Sequence, residues 1–458
     1  MMQTQSLDVQ NFINRERFSR YQWLVFALCF FIVLLDGFDT AAIGYIAPSL
    51  MKEWGIAKPE LASVLSAALF GLAGGALISG PLADRYGRRG VLLVSVCLFG
   101  GACAASAMAD NLQQLTVLRF ITGLGLGSAM PNAVTLISEF SPDGRRATLT
   151  NAMFCGFPLG AALGGFLAAW MIPLWGWRSV LVLGGTVPLL LLALMYVTLP
   201  ESVRHMVAKG YGVERIRAVL VRISASAAHA GAFTMGEAER QHGDDDGSRG
   251  IATLFQPRFL VGTCMLWMAY FMGLVIFYSL INWMPVLFKD AGLAPKTATL
   301  IAALFPLGGV GAVLSGWLMD RYDANRVIAI GFALTAVAIY AVGQAAGDVG
   351  LLTVVVFGAG TLMNTAQSSL PALAAAYYPT HCRATGVSWM LGVGRFGGIA
   401  GSFMVAELAR RQLGFSQVFT VIAFASVAAS VALVIKQIAD RNKPQGGKPV
   451  LTAGINAH

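Results

Sequence analysis

The chain has 458 residues, 56% of them hydrophobic and only 12% charged, with a mean hydropathy of +0.67. Soluble domains carry about 25% charged residues, so this composition excludes a soluble enzyme and indicates an integral membrane protein. The net charge of +9 does not point to nucleic acid, because the basic residues punctuate loops between apolar runs rather than cluster on one soluble unit.

Residues 1–22 form a polar N-terminal segment. The basic start Arg15, Arg17, Arg20 leads into a full-length apolar run, not a short core with a small-residue cleavage site, so no cleaved signal is expected. Hydropathy then predicts twelve spans, at about 23–46, 61–82, 90–109, 112–138, 149–171, 179–199, 259–287, 297–318, 327–346, 350–375, 386–409 and 415–436. These group into six-helix units over 23–199 and 258–436, joined by a connector over 200–257 and followed by a tail over 437–458. The predicted fold class is therefore all-α integral membrane. With both termini in the cytosol, 23 of the 32 Lys and Arg fall on cytosolic segments, 7 outside and 2 within spans, as the positive-inside rule requires.

The first span carries Leu34-Leu35-Asp36-Gly37-Phe38-Asp39-Thr40. Asp36 falls near the middle of the span, and its i, i+3 relation to Asp39 puts both carboxylates on one helical face. Each charged Asp near the bilayer centre costs roughly 2.5–3.5 kcal/mol, so the two must face a cavity, find partners or bind protons. A static ion pair fastening helices is the plain structural alternative. None of the five histidines lies in a span, which leaves carboxylates as the proton carriers.

Two further charges lie inside spans. Arg119 is ~10 Å below the outer face and at about the depth of Asp39 by helical rise, which suggests a contact with Asp36 or Asp39. Arg395, in Gly392-Val393-Gly394-Arg395-Phe396-Gly397-Gly398, falls ~14 Å into the eleventh span. Its planar fork suits a carboxylate, whether of a ligand or of a neighbouring helix. Phe38, Tyr45, Tyr270, Phe277, Tyr278, Asn282, Trp283, Asn364, Gln367 and Trp389 lie on spans able to line a cavity. Of these, Tyr278, Asn282 and Asn364 are taken as substrate-binding candidates. Glu407 is read as a rim residue. The six cysteines show no metal or disulfide spacing, the Asp244-Asp245-Asp246 run reads as solvated linker, and no metal or cofactor is expected.

The loops contain an internal repeat. Gly80-Pro81-Leu82-Ala83-Asp84-Arg85-Tyr86 recurs as Gly316-Trp317-Leu318-Met319-Asp320-Arg321-Tyr322, and Pro142 to Thr148 recurs as Pro379 to Thr385, at offsets of 236 and 237 residues. Gly80-x-x-x-Asp84-Arg85-x-Gly87-Arg88-Arg89 resembles the loop signature of the major facilitator superfamily, whose plan is twelve helices in two halves with substrate near the midplane. That resemblance implies a cytosolic gate of Gly80, Asp84, Arg85, Gly87, Arg88, Asp320 and Arg321. Glu139 is expected to pair with the loop arginines Arg146 and Arg383. Pro200-Glu201-Ser202-x-Arg204 resembles another facilitator signature, and Leu118 to Gly125 resembles the fourth-span motif whose Arg is linked to proton coupling.

With Asp36-Gly37-Phe38-Asp39, Leu7 to Ile13, Phe271 to Val275 and Arg383 to Trp389 added, the chain is similar to the aromatic acid:proton symporters of that superfamily. The resemblance implies a monomeric transporter in a bacterial inner membrane. It would import a hydroxylated benzoate of the 4-hydroxybenzoate or protocatechuate type, with Asp36, Asp39 and Arg119 coupling protons and Arg395 drawing the carboxylate. The proton gradient would be its energy source. Two aspartates permit one proton or two. A proton-coupled exporter of aromatic compounds and a passive facilitator share the fold. A membrane enzyme or sensor lacks the cluster or the attached domain it needs.

Overall fold

The computed structural model describes residues 6–234, 254–311, 321–378 and 383–441. The polar run 241–248, Asp320, His381 and Cys382 lie outside the described residues. Ten described helices are long and apolar enough to cross a membrane. The apolar helix Pro295–Leu307 and the helix Arg383–Arg410 complete the set of twelve.

In the N-terminal half these are α2 (Arg20–Trp54), α3 (Lys58–Tyr86), α4 (Arg88–Ser106), α5 (Leu112–Glu139), a fifth span built from α6 (Arg146–Phe154) and α7 (Gly156–Trp175), and α8 (Arg178–Thr198). The fifth span is broken at Cys155, where the sequence predicts one continuous helix. Pro158 supplies no amide proton and its ring crowds the carbonyl four residues back, at Phe154. The C-terminal half comprises α11 (Pro257–Asp290), α12 (Pro295–Leu307), α13 (Ala324–Gln344), α14 (Val349–Tyr377), α15 (Arg383–Arg410) and α16 (Phe415–Arg441). The predicted eighth span, 297–318, begins as α12 and passes through Pro306 into a tighter turn at Gly308–Gly311; its remainder lies outside the described residues.

The halves meet where α2 packs on α11, α3 on α15 and α7 on α12. Within the N-terminal half, α3 and α5 approach backbone to backbone. A Cβ on Gly71 or Gly75 would come within 2.1 or 2.2 Å of the Phe120 or Leu124 carbonyl oxygen. Conversely, one on Gly123 or Gly127 would come within 2.0 or 2.1 Å of the Ala68 or Leu72 oxygen. Paired small residues four apart on both helices are what let membrane helices close this far. The same device sets α15 on α11, with Gly397 and Gly401 facing the Phe271 and Val275 carbonyls.

On the face carrying both termini, segments expected to flank the bundle fold against it. β1 (Ser6–Asp8) pairs in parallel with β2 (Ala232–Thr234), Ser6 opposite Ala232. α1 (Val9–Arg15), α9 (Val203–Ala208) and α10 (Val213–Leu220) lie beside them. Val9, Phe12 and Ile13 join Met206, Ile216 and Leu220 in a core continuous with that of the N-terminal half. Asp143 in the loop after α5 accepts from Gln10 and Asn14 of α1 at 3.1 and 2.6 Å. The start of the connector carries Arg204, Lys209, Arg215, Arg217 and Arg222 on an amphipathic piece, and the apolar side of that piece is covered by this core.

Substituting Gly127 by Ala is expected to destabilise the protein by about 2–3 kcal/mol, since neither backbone can retreat. Gly101→Ala, where the added carbon meets no neighbouring atom within 4 Å, should leave the melting temperature in detergent unchanged.

Candidate functional site

The intramembrane charges fall into two unlike groups. Asp39 on α2 and Arg119 on α5 are both buried, at 2% and 0% exposure. Arg119 Nη1 donates to both carboxylate oxygens at 3.1 Å, and Nη2 donates to Thr122 Oγ1 at 3.2 Å. The Thr122 hydroxyl donates in turn to the Leu118 carbonyl at 2.8 Å. Arg119 Nε is buried without a partner. Of the two partners expected for Arg119, the structure supplies Asp39.

Asp36 is as deeply buried, at 3% exposure, yet it enters no ion pair among the described residues. Its one hydrogen bond is a long one, from Thr40 Oγ1 at 3.4 Å. The charges that act on it are those of Arg395, across the interface between the halves, and of Asp39 on its own helix. Arg395 on α15 is half-buried and makes no hydrogen bond or ion pair among the described residues. Glycines shape its surroundings: the Tyr270 ring lies against Gly394 and the Tyr278 ring against Gly398. Its charge also acts on both phenols.

Asp39, Thr40, Ile43, Arg119, Tyr278 and Asn282 line a cavity of about 10 Å³ between the halves, room for roughly one water. Asn282 Nδ2 donates to Ser402 Oγ at 3.1 Å. Asn364 Nδ2 donates to the Phe305 and Gly360 carbonyls at 3.1 and 2.8 Å, and so ties α14 to α12.

The face opposite the termini is closed. Residues 41–48 of α2 and 279–288 of α11 are buried on every side, whereas the other ends of both helices alternate between buried and exposed. Lys58 forms an ion pair with Asp290, and Lys289 Nζ donates to the Pro48 carbonyl at 3.2 Å. Both contacts cross between halves. The sequence reading missed them, because charges just outside spans look like ordinary solvated loop residues.

On the terminus side, Gly87 has φ +92°, a conformation that favours glycine, and it turns the chain from α3 into α4. Glu201 fills the space where a side chain at 87 would go. Its Oε1 accepts from the backbone amides of Arg88, Arg89 and Ser202 at 2.8, 3.2 and 2.8 Å. Arg88 faces Glu139 at 3.8 Å, His205 Nδ1 at 3.3 Å and the Ala83 carbonyl at 3.0 Å.

Glu139 therefore meets Arg88 rather than Arg146, which corrects the expected pairing. The turn at Asp143–Arg145 delivers the Asp143 carboxylate to Arg146 Nη2 at 2.6 Å, while Arg146 Nε donates to the Ser138 carbonyl. Arg85 stacks on Tyr86 at 5.3 Å, Gly80 has open space around it and Arg321 is exposed. Asp320 and the side chains of Asp84 and Arg383 lie outside the described residues. Glu407 is clasped by Arg410 and Arg411 at the far rim.

Two six-helix halves with a carboxylate–guanidinium pair buried among the membrane-spanning helices fit the plan of a membrane transporter. The chain belongs to the Major Facilitator Superfamily, whose profile it matches over residues 29–402 and 266–456. It is 50% identical over 434 residues to the 4-hydroxybenzoate transporter PcaK of Pseudomonas putida, covering 94% of this chain and 96% of that one. It is 45% identical to a gallate transporter of Pseudomonas putida, covering 93% and 94%. The inward-open xylose transporter XylE of E. coli shares the fold, with a TM-score of 0.71 at 20% identity over 90% of this chain and 95% of that one.

Two outcomes are expected. Arg119→Ala should cost about 3–5 kcal/mol by stranding Asp39, and Asp39→Ala/Arg119→Ala should recover much of that in a detergent melt. Removing the far-face links with Lys289→Ala/Asp290→Asn should expose Ile43→Cys, placed in a cysteine-free background, to maleimide applied from that face.

Proposed function

We propose that the protein imports hydroxylated aromatic carboxylates of the 4-hydroxybenzoate class by proton symport across a bacterial inner membrane, with both termini cytosolic. The likeness to the 4-hydroxybenzoate and gallate transporters supports the substrate class, and the loop charge asymmetry supports the orientation.

The observation that carries the mechanism is the contrast between the two aspartates. Asp39 is committed to Arg119 in a buried ion pair. Among the described residues Asp36 has no cation in contact, and it lies in the field of Arg395. A proton on Asp36 removes the negative charge that competes with the substrate carboxylate for Arg395, and proton and anion then load together. One proton with a monoanion moves no net charge, whereas a second would add ~2.3 kcal/mol per 100 mV.

The cavity of about 10 Å³ is far below the roughly 300 Å³ at which small-molecule sites begin. Substrate entry therefore requires the halves to part. With the far face held by Lys58–Asp290 and Lys289–Pro48, opening occurs on the terminus side. The Arg88–Glu139–Glu201 cluster there lies within the N-terminal half and moves with it as that side opens and closes. The far-face links break in the opposite state.

The test uses proteoliposomes. Asp36→Asn should lose accumulation of labelled 4-hydroxybenzoate under an imposed pH gradient, about tenfold or more, yet retain exchange of internal for external substrate. Asp39→Asn should lose both. Full proton-driven accumulation by Asp36→Asn would falsify the assignment.

A further inference from the structure

One polar side chain beside this site keeps a buried acceptor that its packing contacts leave empty. Gln367 of α14 is lodged against α11, where a Cβ on Gly273 would lie 1.7 Å from its Oε1. Its Nε2 donates to the Tyr270 carbonyl at 3.4 Å, a long contact, and the amide also acts on the Tyr270 phenol, while Oε1 is buried and accepts no hydrogen bond among the described residues. A buried acceptor left empty costs about 1–3 kcal/mol, and hydrocarbon offers no water to relieve it.

Tyr270 connects this amide to the cation. Its carbonyl holds Gln367, and its ring lies on Gly394, the residue next to Arg395. Three helices, α11, α14 and α15, thus place a guanidinium, an aromatic wall and an unfilled amide acceptor in sequence around one tyrosine. A flat ring with a carboxylate at one end and a hydroxyl at the other matches that order of groups.

We infer that Gln367 is the specificity-determining residue of the site, its Oε1 accepting the O–H of the substrate's ring hydroxyl while Arg395 holds the carboxylate. This rests on the substrate class proposed above. A site with a buried acceptor favours the hydroxylated ring because the bare ring leaves that acceptor unpaired. Gly273 has its part in this: with no side chain, it makes the notch that keeps the amide in place.

Binding of 4-hydroxybenzoate and benzoate to the full-length protein in nanodiscs, by calorimetry, tests the assignment. In Gln367→Leu, 4-hydroxybenzoate should bind about tenfold more weakly while benzoate binding is unchanged, so that the preference collapses. Gly273→Ala, which crowds the amide, should shift the preference the same way. An unchanged preference in Gln367→Leu, or an equal loss for both acids, overturns the inference and leaves the substrate class standing. Wild-type protein that binds neither acid overturns the substrate class and the inference with it.

Discussion

The polar interior depends on one ion pair held out of water. Arg119 and Asp39 together bury a cation and an anion that would each cost several kcal/mol alone, and they do so between α2 and α5 of a single half. The pair ties α2 to α5 within that half. Because it consumes Asp39, it leaves Asp36 in the field of Arg395 across the interface, neither of them in an ion pair among the described residues. The division is uneven: one carboxylate is held in an ion pair between two helices, and the other, among the described residues, has only a long hydrogen bond within its own helix.

Glycine places these groups. The α3–α5 approach through Gly71, Gly75, Gly123 and Gly127 sets the height and rotation of Arg119. Gly37 and Gly160 do the same for α2 on α7, each facing the other helix's carbonyl oxygen. In the other half Gly397 and Gly401 seat α15, and Gly394 and Gly398 admit the two tyrosines that flank Arg395. Small residues serve both as packing devices and as the notches that give the charged side chains their room.

Much of this was legible in the sequence. Charged residues inside apolar runs are rare enough that Asp36, Asp39, Arg119 and Arg395 declare themselves, and the repeated loop motif exposes the duplication. What was not legible depends on geometry finer than helical depth. Asp36 and Asp39 share a face and sit one turn apart, so only the rotation of α2 against α5 decides which meets Arg119. Glu139 has arginines near it on several loops, and the turn at Asp143 decides that Arg88 is the one it faces. The break at Cys155 was masked because hydropathy averages over a window, whereas Pro158 acts on one carbonyl. The folding of the connector onto the bundle could not be read from its basic charge. Its cue was the two apolar residues of α10, four positions apart, facing inward.

The pairing of β1 with β2 joins residues more than 220 positions apart in the chain. During synthesis the first strand leaves the ribosome long before its partner exists, so the six spans between them enter the bilayer before the clasp can shut. The clasp is therefore a late event, a seal set on a half already assembled. It also couples the segment before the first span to the stretch leading into the second half.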